Sequence, residues 1–161
     1  MSKLLAQGRH KLVGQLLGQE VDITFLSVAD VLALHDQVIG AFGGSNGTRD
    51  ESLLESAVHR PMQAACYEDM DAVGASAMMG EAIIRNHAFL DGNKRSGFFS
   101  MVVMLDENGY DFIAEAADII YMVKNLAAGT VTSEQFSQWV RNNSLPYEMT
   151  DRERPVGPKQ N

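Results

Sequence analysis

Residues 87–96 (HAFLDGNKRS) constrain the fold of this chain most, because they form a short polar stretch between two apolar segments. The preceding segment, residues 73–86, and the following one, residues 98–108, both have a helical pattern, and the second ends at an Asn-Gly stop signal. This order predicts a helix, a tight polar loop and a second helix. Residues 98–105 are apolar nearly all round, so we expect the second helix to lie at the centre of the molecule.

The loop brings together groups suited to binding an anion. A helix that begins at about Ser96 presents unpaired N–H groups at the positive end of its dipole, and both attract anions. Lys94 and Arg95 add positive charge at the same end. Exposed cations without a function are one interpretation of these two residues. A cation at a helix N-terminus, however, interacts unfavourably with the helix dipole unless a bound anion compensates its charge. His87 supplies a proton acceptor, and Asp91 is either a magnesium ligand or a helix cap. These residues predict phosphoryl or nucleotidyl transfer.

The same residues resemble a known signature. Residues 87–95 are similar to the Fic/Doc motif, a His-x-Phe-x-(Asp/Glu)-(Gly/Ala)-Asn-(Gly/Lys)-Arg loop between two core helices. Most members of that superfamily have glycine where this chain has Lys94, and a further arginine where it has Phe98. Lysine without the second arginine is the pattern of the Doc (death-on-curing) toxins. The resemblance extends from about residue 27 to residue 143.

The resemblance implies a role for each residue of the loop. His87 would be the catalytic base that takes the proton of a target hydroxyl, and Asp91 would hold Mg²⁺ on the nucleotide phosphates. Phe89 would fix the loop to the core. The residues implied to bind the phosphates of ATP are Gly92, Asn93, Lys94, Arg95 and Arg85, the last of which stands two residues before the histidine.

For the Doc branch, the resemblance implies a kinase-like toxin. It would transfer the γ-phosphate of ATP to a Ser/Thr hydroxyl of a cytosolic protein, with elongation factor Tu as the candidate target, and would arrest translation. The implied partner is a small antitoxin of the prevents-host-death type, whose disordered C-terminal region folds into a groove on the toxin. Two alternatives stay open: AMP transfer (AMPylation) to a protein hydroxyl, and a non-catalytic binding scaffold.

A glycine-rich segment precedes the second predicted helix of the domain. Its residues are Gly43, Gly44, Ser45, Asn46 and Gly47. Asn-Gly is a strong hairpin signal, because both residues tolerate positive φ. By itself the segment fits a surface connection, whereas the resemblance implies a flap that holds the target segment by its backbone.

The predicted fold is all-α, a Fic/Doc-type helical bundle with a short β-hairpin flap. Residues 1–26 form an N-terminal extension, residues 27–143 the Fic/Doc domain, and residues 144–161, with three prolines and mixed charges, a disordered tail. In the extension, leucines hint at a helical stripe that glycines weaken, and residues 21–26 alternate like a short strand. Pro61 is expected to end or kink its helix.

Length, composition and charge indicate where in the cell such a protein is found and which partners it does not bind. The chain has 161 residues, which fits one domain, and contains no apolar run long enough to span a bilayer. The first residues lack a secretory signal, and a single cysteine, Cys66, fits a reducing compartment, so the expected location is the cytoplasm. A net charge of −8 argues against direct nucleic-acid binding.

Overall fold

The computed structural model describes residues 10–16 and 19–148, with side chains from Asp22 onward. This part of the chain is mainly helical, as predicted. Its helices are α1 Val28–Phe42, α2 Glu51–Tyr67, α3 Ala72–Asn86, α4 Asn93–Glu107, α5 Ala116–Ala128 and α6 Ser133–Asn142. Its strands are β1 His10–Leu16, β2 Gln19–Phe25, β3 Tyr110–Phe112 and β4 Ser144–Pro146. Within the described ranges, no helix is both long enough and apolar enough to cross a membrane.

The helices α3 and α4, which flank the motif, pack against each other at the centre of the molecule. Gly80 of α3 faces Gly97 of α4 so closely that a Cβ at Gly97 would lie 2.8 Å from the carbonyl oxygen of Gly80 and 2.5 Å from Cγ1 of Ile84. Small residues allow this close approach of two helix backbones. The predicted helix–loop–helix is therefore confirmed, and its two helices hold the loop ends at a fixed separation.

Two hydrophobic clusters lie on opposite sides of this helix pair. The first joins α3 and α4 to α1, α2 and β2, and its largest fully buried side chains include Phe25 and Phe89. The second joins them to α5 and α6 around Phe136. Because α3 and α4 contribute side chains to both clusters, any shift of one against the other is resisted on two faces.

Several local predictions need correction. Residues 10–16, where leucines only hinted at a helical stripe, form β1, which pairs antiparallel with β2. The short strand predicted over residues 21–26 is confirmed within β2, which ends at Phe25. Pro61 does not end its helix, since α2 continues to Tyr67. Ser144–Pro146, assigned to the disordered tail, forms β4 and pairs with β3. Residues 1–9 and the rest of that tail, 149–161, lie outside the described residues.

Asp71 connects the start of α3 with α6. Its carboxylate accepts a hydrogen bond from the Gly74 N–H (2.8 Å) and two from the guanidinium of Arg141 (2.6 and 2.8 Å). The hydrogen bonds from Arg141 are the largest cause that holds the pKa of Asp71 below its ordinary value, and the same contact raises the pKa of Arg141. The folded state therefore favours the ionised carboxylate.

We expect Asp71→Ala to lower the free energy of unfolding at neutral pH by about 1–2 kcal/mol, through loss of a helix cap and a partly exposed ion pair. A lowered folded-state pKa stabilises the protein above the unfolded-state pKa, and that contribution is lost as the pH falls through the folded value. Urea unfolding should therefore separate variant from wild type at pH 7 and bring them together well below about pH 4. Asp69→Ala, which removes an exposed carboxylate nearby, serves as the control. An equal loss at both pH values would contradict this assignment.

Candidate active site

Two left-handed residues define the loop between α3 and α4. His87 ends α3 with φ 49° and ψ 45°, and it is the one non-glycine residue with positive φ in the described chain. Gly92, with φ 75°, occupies the N-cap position of α4, so this helix begins at Asn93 and not at about Ser96 as predicted. A histidine in this conformation is uncommon, and such strain concentrates at functional sites. The histidine side chain is exposed beside the loop.

Asn93 and Phe89 fix the shape of the loop from inside. The Asn93 side chain accepts a hydrogen bond from the Phe89 N–H (2.9 Å) and donates one to the Phe89 carbonyl (3.0 Å). Phe89 is 1% exposed, and its ring stacks on the ring of His35 with centroids 3.7 Å apart. Phe89 thus lies where an anchor was predicted, and Asn93 shapes the loop by closing it on itself.

The N-terminus of α4 is open toward a pocket. Gly92 has no side chain to cap the helix, whereas Ser27, Asp50, Asp71 and Thr132 cap other helices of the described chain with side-chain oxygens. The pocket measures about 280 Å³. It is lined by His87, Leu90, Asp91, Gly92, Asn93, Lys94 and Arg95. Free N–H groups, a dipole end and two cations therefore share one cavity with the imidazole.

Asp91 lies at the edge of this pocket between the loop and the flap. One carboxylate oxygen accepts a hydrogen bond from the backbone N–H of Gly92 (2.7 Å), and the other accepts one from the backbone N–H of Ser45 (3.3 Å). These backbone hydrogen bonds, the one from Gly92 first, lower the pKa of Asp91 from its ordinary value. The carboxylate is thus oriented, exposed and held in its anionic form, with lone pairs left to bind a cation.

The residues present fit a magnesium ion only if a ligand supplies further oxygens. In the described chain, no group of three or more His, Cys, Asp and Glu side chains is arranged to hold a metal. Mg²⁺ is commonly bound by one or two carboxylates together with substrate phosphates and water. Asp91 at the edge of an anion pocket matches that arrangement, so the ion would arrive with a phosphate ligand.

The glycine-rich flap, residues 43–47, lies against the loop. The Leu90 N–H donates to the Gly47 carbonyl (3.0 Å), Arg95 donates to the Gly43 carbonyl (3.3 Å), and Thr48 forms an antiparallel bridge with Phe89. The flap is therefore beside the site, as the prediction requires. The hairpin expected from its Asn-Gly pair does not form, because the flap backbone pairs with the loop and not with itself.

One predicted site residue lies elsewhere. The guanidinium of Arg85 pairs with Glu81 (2.9 Å) and donates to the Val131 carbonyl (3.1 Å), and it does not line the pocket. Arg85 lies in the last turn of α3, whereas His87 ends the helix in the left-handed conformation and lines the pocket. The predicted phosphate contact of Arg85 is not supported by this placement.

Two residues outside the predicted loop contact it. The charge pattern of the sequence already predicts Arg49 near the site, in a basic spot that suits a nucleotide. Arg49 donates a side-chain hydrogen bond to the carbonyl of His87 and, through its backbone N–H, another to the carbonyl of Ala88 (2.7 Å). His35 is fully buried beneath the loop. The signal that could have identified the contacts of Arg49 with the loop is its position directly after the flap.

Comparison with known proteins agrees with the geometry. A model of the Fic/DOC family matches residues 25–105, about half of the chain, and includes the whole loop. Protein kinase doc of Escherichia phage P1 is 27% identical over 117 residues, which cover 72% of this chain and 92% of that protein. Toxin Doc of Mycolicibacterium smegmatis is 39% identical over 79 residues, which cover 47% of this chain and 59% of that protein.

Proposed function

This chain belongs to the Fic/Doc family, and we propose that it is a Doc-like toxin that transfers the γ-phosphate of ATP to a Ser/Thr hydroxyl of a protein. The observation that carries this proposal is the shared pocket of His87 and the uncapped, lysine-bearing N-terminus of α4. The names of both relatives, a protein kinase and a toxin, support it.

The size and charge of the pocket favour the phosphate end of a nucleotide. At about 280 Å³ it falls just under the range of about 300–1,000 Å³ typical of sites that enclose a whole small molecule. It therefore suits the terminal phosphates, with the nucleoside outside. The N–H groups of α4, Lys94 and Arg95 would neutralise the phosphate oxygens, and charge stabilisation of this kind dominates phosphoryl-transfer catalysis.

His87 supplies the base for this reaction. The acceptor oxygen forms a bond to the γ-phosphorus while the bond from that phosphorus to the bridging oxygen breaks, and ADP leaves. The proton of the acceptor hydroxyl passes to the imidazole of His87. Mg²⁺, held by Asp91 and the phosphates, would supply further neutralisation of phosphate charge. Arg49 holds the carbonyl of His87, which keeps the histidine in its left-handed conformation beside the pocket.

The flap offers a place for the target protein. Residues 43–46 are exposed, and two of them contact residues that line the pocket: Ser45 donates to Asp91 and Gly43 accepts from Arg95. The flap backbone is only partly engaged by these contacts and by the loop. An extended target segment that pairs with this backbone would bring a Ser/Thr hydroxyl toward His87. Elongation factor Tu is the candidate target, and a small antitoxin of the prevents-host-death type is the candidate partner.

Lys94 and Phe98 distinguish phosphate transfer from AMP transfer. In AMP-transferring relatives, glycine and a second arginine occupy these two positions. Phe98 packs into the second hydrophobic cluster, with its ring 5.8 Å from that of Phe112, so this position offers no cation to a phosphate. The absence of a cation there, with a lysine in the loop, favours a nucleotide bound with its γ-phosphate toward the acceptor.

Labelled ATP tests the proposal. With ATP carrying the label at the γ-phosphate, purified chain and Mg²⁺, elongation factor Tu or another protein of a host lysate is expected to acquire label, and His87→Ala is expected to abolish it. With ATP labelled at the α-phosphate, no protein should acquire label. Label arriving from the α-position alone would replace the kinase reaction by AMP transfer.

We expect Arg95→Ala to lower transfer by about ten- to a hundredfold, the range for loss of a hydrogen bond to a charged group. Arg85→Ala, which removes the same charge ten residues earlier, should leave transfer per folded molecule within about twofold and lower stability by about 1 kcal/mol. Steady-state rates with unfolding curves measure both quantities. Equal losses of transfer in the two variants would contradict the placement of Arg85 outside the site.

A further inference from the structure

His35 of α1 lies directly beneath the loop and contacts both Phe89 in the loop and Ser96 in the first turn of α4. Its ring stacks on Phe89 with centroids 3.7 Å apart and planes 4° from parallel. Its Nδ1 lies 2.9 Å from the hydroxyl oxygen of Ser96, in the first turn of α4. A Cβ at Gly92 would lie 3.5 Å from its Cε1 atom, so the ring lies close to the turn that opens the helix. One side chain therefore contacts the anchor and the first turn and lies close to the N-cap.

A histidine at this position destabilises the folded state relative to an apolar ring if it serves only to fill space. His35 is 1% exposed, and its Nε2 atom has no hydrogen-bond partner within the described chain. An unsatisfied buried nitrogen is destabilising, and an apolar ring would stack on Phe89 without it. Burial is the largest cause that lowers the pKa of His35, and it disfavours the charged form of the ring. What the imidazole adds over an apolar ring is the hydrogen bond to Ser96.

We propose that His35 is a positioning residue for the transfer reaction: it fixes the first turn of α4 relative to the loop, so that the free N–H groups of the helix face the phosphate correctly. This inference rests on the proposed function. A displacement of about 1 Å in a catalytic arrangement can lower a rate about a hundredfold. A single buried hydrogen bond to the first turn is therefore enough to influence the reaction without touching the nucleotide.

Two variants and a matched control test this role. His35→Phe keeps the aromatic stack and removes the contact with Ser96, and Ser96→Ala removes the same contact from the other side. Ser100→Ala deletes a buried hydroxyl one turn further along α4 that has no hydrogen-bond partner in the described chain. We expect the first two variants each to lower kcat about ten- to a hundredfold with a smaller change in KM for ATP, and Ser100→Ala to match wild type.

The double variant separates a specific contact from general damage. If the hydrogen bond carries the effect, His35→Phe combined with Ser96→Ala should be no slower than the slower single variant. Effects that multiply, or wild-type kcat in both single variants, would overturn the proposal. Ser96→Ala removes only a hydroxyl, so it tests the contact even where His35→Phe does not fold.

Hydrogen exchange of the loop amides gives a result that does not depend on catalysis. Phe89, Leu90 and Ser96 have amides that donate hydrogen bonds within the loop, to the flap and to the Gly92 carbonyl. These three amides are expected to exchange faster in His35→Phe and Ser96→Ala than in wild type or Ser100→Ala, while the remaining helices keep their protection. If wild type transfers no phosphate, the proposed function fails, and localised faster exchange still supports the positioning role. Unchanged exchange at Phe89, Leu90 and Ser96 would overturn it.

Discussion

His87→Ala is expected to reduce phosphoryl transfer by about 100- to 10,000-fold, the usual contribution of a positioned general base. Among the described residues, His87 is the only histidine that lines the pocket at the start of α4, and alanine removes the imidazole that would accept the proton of the acceptor hydroxyl. The measurement is the initial rate of γ-phosphate incorporation at saturating ATP. Because His87 is exposed, the substitution should change the free energy of unfolding by less than about 0.5 kcal/mol.

A matched control distinguishes loss of the catalytic base from the effect of removing any exposed histidine. His59→Ala removes an exposed histidine from α2, outside the active-site pocket, and should keep the wild-type rate. Growth arrest on expression is expected to follow the same order, with wild type and His59→Ala toxic and His87→Ala tolerated. If His87→Ala kept both transfer and toxicity, the chain would act as a non-catalytic binding scaffold.

Phe89→Ala is expected to destabilise the protein by about 3–5 kcal/mol, the range for deletion of a buried aromatic ring. Phe89 is 1% exposed within the first hydrophobic cluster and stacks on His35, so alanine leaves a cavity under the loop. A loss of this size is a large share of the usual 5–15 kcal/mol total. For a chain of this length it should lower the melting temperature by roughly 6–20 °C.

The comparison for this prediction is an exposed aromatic residue. Tyr67 is 86% exposed at the end of α2, and Tyr67→Ala should change the melting temperature little. Phe89→Leu should be intermediate, because leucine fills part of the cavity without the stack. A Phe89→Ala variant with wild-type stability would show that the loop does not depend on this anchor.

The candidate site could be predicted mainly because its residues are contiguous. His87, Asp91 and the first turn of α4 lie within nine positions, so the identity of the loop also gives its neighbours in space. The helix ends were predictable for a similar reason: the Ser27 and Thr132 caps are local, and both form the capping boxes that their sequence indicates.

Contacts between distant segments could not be predicted in this way. An apolar-face histidine such as His35 has the same local pattern whether it is an ordinary core residue or supports a loop 54 to 61 positions away. The Asn-Gly signal of the flap was correct about positive φ at Gly47 but gave no hairpin, because the loop backbone competes for the same N–H and carbonyl groups. The phosphate contact of Arg85 was implied by the resemblance alone, and the local sequence does not reveal that its guanidinium pairs with Glu81 and with the carbonyl of Val131, 46 positions away.

The structure of this chain with Mg²⁺ and a non-hydrolysable ATP analogue tests the central claim most directly. We predict that the terminal phosphate lies on the N–H groups of Asn93, Lys94 and Arg95, with the γ-phosphorus facing the imidazole of His87 and the metal on Asp91. A complex with the α-phosphate beside His87, or with the nucleotide bound outside this loop, would contradict the account.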